Sequence, residues 1–403
     1  MRPRLAKAVL YPPHRVDFGL AILGRGLWYC LSADEPAARR AVAQQWGPQA
    51  CAIPFLSVRS AFDAALTALA LAPGDEVLLS AITIDDMARL VTAHGHVAVP
   101  VDVDPAMLAP SLADLEAACT PRTRAVVVAH LFGGRLDLTA LCAWAHARGL
   151  VVVEDAAQAV GDGTYSGHPQ ADVSLFSFGT IKTASALGGA IACVRSPALH
   201  QRMTAIQAQW PLQPAGQFAR KLLKSSLFIL LQSALCYAAV HAVCVLARTT
   251  AGAFGRTMSR GFGGLDAAAL LVALRQRPAV PLLRLLHHRL GHISVARVAK
   301  RAAWGTQLHR ALPTWATPGY LQADHTHWLV PVVVPAPDAL RAALQLAGFD
   351  AFGASNVVAL GGTQATALMA GLVFVPAYPE LPLHRLRQLT AIVRAHVAPE
   401  DPC

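Results

Sequence analysis

Apolar positions along the chain alternate between short β-branched runs and longer stretches at helical spacing. Residues 60–71 keep helical spacing without Gly or Pro until Pro73-Gly74 ends it. Strands are then predicted at 76–79, 96–102, 125–130 and 150–154. Helices are predicted between them at 85–94, 111–119 and 138–148, the second opened by a serine cap after Pro110. Such alternation predicts an α/β protein with a mainly parallel sheet and helices on both faces. Ligands of these sheets bind beyond the carboxyl ends of the strands. His130 and Asp155 fall at two such ends.

The pattern changes on either side of this region. Residues 1–50 read as an N-terminal arm with a short helix at 36–45, and residues 51–210 as the large domain. Residues 211–262 form an apolar insertion, and 263–403 a helical link with a smaller C-terminal α/β domain. In that last part helices are predicted at 264–275, 287–312, 337–347 and 382–397, and a strand at 327–334. Within the insertion, 225–247 is a run of 23 residues without a formal charge. As one helix it would reach about 34 Å, enough to cross a bilayer. Arg220, Lys221 and Lys224 precede it and Arg248 follows. A full span would separate the two halves of the chain, so the expectation is a segment that dips into the membrane or lies at its interface. A core helix and a dimer-interface hairpin are the alternatives.

Composition narrows the class. Among 403 residues, 54% are hydrophobic and only 14% charged, and the formal net charge is +10. The mean hydropathy is +0.42, which excludes a disordered chain. No zinc-finger spacing or lysine-rich run supports a nucleic-acid partner. Basic residues on an apolar protein suit an anionic membrane surface. Cys30, Cys51, Cys119, Cys142, Cys193, Cys236, Cys244 and Cys403 form no Cys-x-x-Cys pair and read as buried thiols of a reducing compartment. Pro12, Pro13, His14, Arg15 and Asp17 interrupt any signal-peptide core, which places the expected location in the cytoplasm, peripheral or monotopic on the inner face of the membrane.

Candidate chemistry centres on two residues. The run Val151-Val152-Val153 delivers Glu154-Asp155 at a strand end, and Lys182 follows in a loop rich in Ser, Thr and Gly. Pyridoxal phosphate needs this pair: a carboxylate keeps its pyridine nitrogen protonated, and a lysine holds its aldehyde carbon and shuttles a proton. Metal chemistry has less support. His287, His288 and His292 sit among Arg284 and Arg289, which repel a cation, and neither they nor His325 and His327 show ligands converging from several elements. Gly261-Phe262-Gly263-Gly264 lacks the strand-to-helix context of a dinucleotide fingerprint.

These residues are similar to the sugar aminotransferase family often named DegT/DnrJ/StrS, of the aspartate-aminotransferase fold. The matches are Glu154-Asp155-Ala156-Ala157-Gln158, Ser177 to Lys182 as S-F-x-x-x-K, Gly74-Asp75-Glu76-Val77, and His130-Leu131-Phe132-Gly133. The resemblance runs from about residue 57 to 193 and more weakly to about 393. It implies pyridoxal 5'-phosphate as cofactor, an amino-acid donor such as glutamate or glutamine, a nucleotide- or lipid-linked keto-sugar acceptor, and a homodimer. It implies Lys182 and Asp155 as catalytic residues, Gln158 at the ring hydroxyl or over the ring, and Ser177 at the phosphate. The start of the helix at Ser60 would add phosphate contacts. The family's Ser-Gly-Thr stands here as Ser57-Val58-Arg59, so Arg59 either clamps the phosphate or points to an interface. Ile84 replaces the family's stacking aromatic residue and would cover the ring by dispersion, without about 0.5–1.5 kcal/mol of stacking. His130 would stack or hydrogen-bond near the cofactor. The family's asparagine loop has no clear match near 258–262. Two alternatives remain at this level: a membrane-docked scaffold of the same fold, or a related enzyme such as a sugar dehydratase.

Overall fold

The computed structural model describes residues 9–46, 52–246, 265–353 and 357–397. Expectations that fall on Arg248, Cys51, Cys403 and 258–264 lie outside these residues. The large sheet has seven strands: β1 (Ala52–Phe55), β2 (Glu76–Ser80), β4 (Val97–Val101), β5 (Thr123–Ala129), β7 (Val151–Asp155), β8 (Val173–Ser177) and β9 (Ala190–Val194). Their order is β1-β9-β8-β7-β5-β2-β4. The five strands from β4 to β8 are parallel, while β9 and β1 close one edge antiparallel.

The sheet is central because its strands are apolar on both faces. Val77, Leu79, Val127 and Val153 face one core with the helices Val58–Leu69 and Asp85–Ala93. Leu78, Val126, Val128 and Val152 face the other with the helix Thr139–His146. Each such fully buried side chain contributes about 1.5–3 kcal/mol relative to exposure. Continuous apolar runs of this kind are what parallel strands covered by helices require.

Among the described residues six further strands form three antiparallel pairs. β3 (Ile82–Thr83) pairs with β12 (Val358–Ala359), and β6 (Gly134–Arg135) pairs with β10 (Asp324–His325). β11 (Val330–Val333) pairs with β13 (Leu372–Val375) and packs with the helices Pro337–Leu346 and Leu383–Val397 into a separate apolar cluster. The β3–β12 and β6–β10 pairs tie this C-terminal part to the large sheet. The Asp102 carboxylate adds a third tie, accepting the N–H groups of Gln364 and Ala365 at the start of the helix Thr363–Gly371.

Several elements depart from the sequence expectation. The arm holds two helices, Leu20–Tyr29 and Glu35–Trp46, where one was expected. Gly26 in the first has a reason: a Cβ there would lie 2.7 Å from Leu222 Cδ2, so glycine lets two helices touch. The single long helix expected at 287–312 is two, Val280–Leu290 and Val295–His309, because Gly291 ends one and Ser294 caps the next. β8 and β9 were not anticipated as strands. Cys193 in β9 is disulfide-bonded, which corrects the expectation of free thiols throughout; pairing with β1 puts a sequence-distant segment beside it. Cys30, Cys119, Cys142, Cys236 and Cys244 are free.

The uncharged run at 225–247 is not one helix. It is shared by Ala215–Leu230 and Ala234–Leu246, bent by 99°. No single helix among the described residues is long and apolar enough to cross a membrane. One face is packed: Phe218 and Leu222 join the core under the arm, and Tyr237 bonds Asp350. The other face leaves Leu223, Leu235 and Val243 exposed.

Asp63 illustrates how the layers are locked. Its carboxylate is fully buried in the helix Val58–Leu69 and accepts Nε and Nη2 of Arg275, both at 3.0 Å, and Nε2 of His94 at 2.8 Å. Despite the cost of burial, the bonds to His94 and Arg275 hold it below its usual pKa. Asp63→Ala is expected to cost about 2–3 kcal/mol of stability in urea denaturation at pH 7. This lies below the 3–5 kcal/mol typical of a fully buried pair, because Arg275 is 40% exposed and rehydrates. The lowered pKa means that this contribution is present above about pH 4 and is lost on acidification, so the variant and the wild type should converge in acid.

Candidate active site

The carboxyl ends of β5, β7 and β8 lie side by side in the sheet. Asp155 ends β7 and is 8% exposed. Its Oδ1 accepts the Ala157 N–H at 3.0 Å, and it forms no salt bridge among the described residues. Burial pushes its pKa up, opposed by that bond and by the charges of Lys182 and Arg59. Lys182 stands in the turn after β8, its backbone N–H bonded to Gly179 O at 3.0 Å. Burial lowers its pKa to about 7, partly offset by Asp155. At neutral pH about half of its amine is therefore unprotonated and available as a nucleophile.

The loop of Lys182 is held from several sides. Trp328 Nε1 donates to Ile181 O at 2.9 Å, and Lys182 Nζ lies 3.6 Å from the centre of the same indole ring. Arg301 Nη1 donates to Thr183 Oγ1 at 3.0 Å. Asp17 of the arm accepts the Ala184 N–H at 2.7 Å, and Arg289 Nε donates to Ser185 O at 3.1 Å. The sequence reading missed Trp328 and Arg301, which reach the loop from the C-terminal part. The signal for Trp328 was an aromatic residue just ahead of the apolar run that became β11.

Gln158 is oriented by its own bond. Its Oε1 accepts the Phe132 N–H at 2.8 Å, which makes the NH2 the end that can donate to a ligand. Ser177 ends β8 beside the lysine turn: a Cβ on Gly179 would lie 3.7 Å from Ser177 Oγ and 3.9 Å from Lys182 Cγ. Ser60 is buried in the first turn of the helix Val58–Leu69. Ser57 caps that helix by accepting the Ser60 N–H at 3.2 Å, and the two hydroxyls lie 3.0 Å apart. Arg59 directs its Nε to Asp86 Oδ2 at 2.5 Å, while its charge still acts on Asp155 and Lys182. It therefore faces the site as a member of an ion pair with Asp86. Ile84 precedes the helix Asp85–Ala93, half-buried against the large core.

His130 takes a different role from the expected one. Its Nδ1 accepts the Leu136 N–H at 3.0 Å, so Nε2 carries the proton and donates to Glu154 Oε1 at 2.7 Å. The side chain is fully buried. Both nitrogens are thus consumed inside the protein, and the ring supports the strand ends from behind. Glu154 collects further donors: Ser174 Oγ at 2.5 Å, the His168 N–H at 2.9 Å, and the Tyr165 hydroxyl. Although burial alone would raise it, the bond from His130 and those from Ser174 and Tyr165 hold Glu154 at about 2. Among the described residues no group of His, Cys, Asp or Glu could hold a metal ion.

The donor set fits pyridoxal phosphate group by group. A buried carboxylate without a cationic partner suits a pyridinium nitrogen, and a near-neutral lysine suits an aldehyde. A hydroxyl at a strand end and the start of a helix suit a phosphate.

Architecture and acid–lysine pair together define the fold class of the pyridoxal-phosphate aminotransferases. Residues 34–221 match the model of the DegT/DnrJ/EryC1/StrS aminotransferase family. It is similar to the UDP-N-acetyl-3-dehydro-alpha-D-glucosamine 3-aminotransferase of Acidithiobacillus ferrooxidans, 41% identical over 127 residues, which are 31% of this chain and 34% of that protein. It is also similar to a pleiotropic regulatory protein of Geobacillus stearothermophilus, 43% identical over 97 residues, covering 24% of this chain and 26% of the other. The matches thus span about a third or less of the length of these curated relatives. The solved aminotransferase TlmJ from Streptoalloteichus hindustanus shares the fold with a TM-score of 0.68, at 21% identity over 96% of this chain and 98% of that one.

A lysine with a pKa near 7 has a measurable signature. In trace acetylation followed by peptide mapping, Lys182 should reach half-maximal reactivity near pH 7, where an ordinary lysine does so above pH 10. Asp155→Asn removes the charge that raises it, so the midpoint should fall further. A midpoint near 10 in the folded protein would contradict the site as described.

Proposed function

We propose that this chain is a pyridoxal-phosphate-dependent aminotransferase that moves an amino group from an amino-acid donor, glutamate or glutamine, to a keto-sugar. A nucleotide-linked acceptor is favoured by the A. ferrooxidans relative, whose name specifies a UDP-sugar. Cell-surface polysaccharide or glycolipid synthesis is the setting we infer. The observation that carries the reading is the buried Asp155 beside the depressed Lys182.

Pyridoxal phosphate, when bound, supplies an electron sink for the carbon that loses or gains the amino group. In this reading Asp155 keeps the ring nitrogen protonated, trading its unpaired burial for an ion pair. Lys182 holds the aldehyde carbon through Nζ and then carries a proton to and from the substrate carbon. Gln158 donates its NH2 to the ring oxygen. Ser177, the helix start at Ser60 and the nearby charge of Arg59 receive the phosphate. Ile84 covers the ring, and Trp328 shields the lysine from water.

Mixing the purified protein with pyridoxal phosphate should give a visible absorption band that borohydride fixes to Lys182. The band should be absent in Lys182→Ala, and glutamate should bleach it in a half-reaction. A scaffold reading is favoured by one observation, the engagement of Arg59 by Asp86, together with the regulatory name of the G. stearothermophilus relative. It would be chosen if the band forms and no amino donor alters it.

We also propose a homodimer seated on the cytoplasmic face of a membrane. The bend between Ala215–Leu230 and Ala234–Leu246 supports a segment lying at the interface, with Leu223, Leu235 and Val243 outward and Arg220 and Lys224 beside them. Each basic residue adds roughly 1 kcal/mol of attraction to anionic lipid. Flotation with phosphatidylserine vesicles should be strong at low salt and fall in L223S/L235S/V243S. Absence of flotation would leave the exposed face to a dimer contact.

A further inference from the structure

The arm helix Leu20–Tyr29 is apolar on its outer side as well as its inner one. Its inner side is packed: Leu23 and Gly26 are buried, and Gly26 lets Leu222 of the helix Ala215–Leu230 and Leu285 of the helix Val280–Leu290 approach. On the outer side Leu20, Leu27 and Trp28 are exposed, and Leu31 follows just past the last turn. Trp28 is 70% exposed and Leu31 79%, so neither is held by the fold. Positions 20, 24, 27 and 28 fall within an arc of about 100° on an α-helix, and Gly24 adds no polar group to that arc. A surface helix ordinarily carries polar residues there. A contiguous stripe of large apolar side chains in their place marks an interaction surface.

The charges around the stripe decide what it fits. None of the three helices that pack together here contains an Asp or a Glu. Along the chain, Asp266 is the only acidic residue between Asp172 and Asp324. Arg25 borders the stripe and acts electrostatically on His288 of the helix Val280–Leu290. Arg220 and Lys224 are exposed on the helix that Gly26 touches. The two acids that flank the arm helix are engaged: Asp17 accepts Arg289 Nη2 at 2.9 Å, and Asp34 caps the next helix by accepting the Ala37 N–H at 2.9 Å. Apolar side chains beside cations, on helices without a carboxylate, complement anionic headgroups over acyl chains. A tryptophan ring suits the boundary between the two. A second copy of the chain fits this face less well. In a two-fold pair the same patch meets itself, so Arg25, Arg220 and Lys224 would approach their own counterparts with no acid on these helices to pair them.

We propose that the outer face of the helix Leu20–Tyr29, with Leu31, is a lipid-binding surface that seats in an anionic bilayer and places the Trp28 indole at the headgroup level. The assignment rests on the membrane seat proposed above for residues 215–246 and makes the arm its second anchor. Leu20, Leu27 and Leu31 supply the apolar contact. Arg25, Arg220 and Lys224 supply the attraction to negative headgroups.

The test is flotation of the purified full-length chain with vesicles of phosphatidylcholine, with and without phosphatidylserine, together with quenching of tryptophan emission by brominated acyl chains. Wild type should float with the serine lipid and lose emission to bromine. L20S/W28S/L31S changes only exposed side chains, so it should keep the wild-type unfolding midpoint while its binding falls by about tenfold or more. R25Q/R220Q/K224Q should weaken binding to the serine-containing vesicles by about tenfold and leave binding to the neutral ones unchanged. Trp28→Phe keeps the apolar contact, so it should still float but lose most of the bromine quenching, a change that a purely structural role would not produce. If L20S/W28S/L31S floats as wild type and Trp28→Phe keeps the quenching, while L235S/V243S stops flotation, the arm assignment is overturned and the seat at 215–246 stands. The reverse pattern supports the arm and removes that seat. Equal binding to both lipids would overturn the anionic partner. Wild type that does not float at low salt overturns both readings, and an oligomer that dissociates in L20S/W28S/L31S would then give this face to a second copy.

Discussion

Everything at the site depends on one buried anion that never faces it. Glu154 lies inside β7 and gathers donors from His130 after β5, from Ser174 in β8, and from Tyr165 and the His168 amide in the intervening loop. An isolated carboxylate at that depth would be prohibitive, and four directed donors make it tolerable. Their directions matter as much as their number. They fix the relative heights of three strand ends, and with them the separation of Asp155, Ser177 and the turn that carries Lys182. The next residue, Asp155, accepts one backbone donor among the described residues. Two adjacent acids thus receive opposite treatment: one saturated and structural, the other left under-bonded and chemically available.

How much of this was legible in the sequence follows from distance along the chain. β5 and β7 and the placement of Asp155 and Lys182 could be read because local patterns specify them: an apolar run, a strand-end acid, a small-residue turn; Gln158 entered through the family resemblance. His130 could be placed but not understood. Its position at a strand end is local, whereas its partner Glu154 is fixed by sheet pairing. Trp328 and Arg301 were invisible because they meet the lysine turn only through tertiary packing, more than a hundred residues on. The helix Leu20–Tyr29 was missed because Gly24 and Gly26 weaken its propensity. What Gly26 costs in propensity it returns in close packing against Leu222.

The departures from the family pattern have physical readings. Where a flexible glycine and a hydroxyl are usual, Val58 packs into the core and Arg59 is anchored to Asp86, which is itself shared with Arg89. The positive charge near the phosphate end is therefore held in place by an ion pair with one shared carboxylate. Ile84 is half-buried against the same core. This side of the site is thus aliphatic, and Trp328 reaches the lysine turn from the C-terminal part of the chain.

The bend between the two insertion helices has one more consequence. Gln232 sits at that bend; its backbone oxygen accepts Arg15 Nη2 and its Oε1 accepts the Val16 N–H at 3.1 Å. The Leu10 N–H reaches Ala234 O at 3.2 Å. The arm is thereby clasped to the insertion along the stretch that carries His14, Arg15 and Asp17 into the wall beside Lys182. Asp17 in turn holds the lysine turn through Ala184. The greasy helix pair and the reactive amine are consequently joined through the arm by one run of hydrogen bonds, from Gln232 to Arg15 and Val16 and from Asp17 to Ala184.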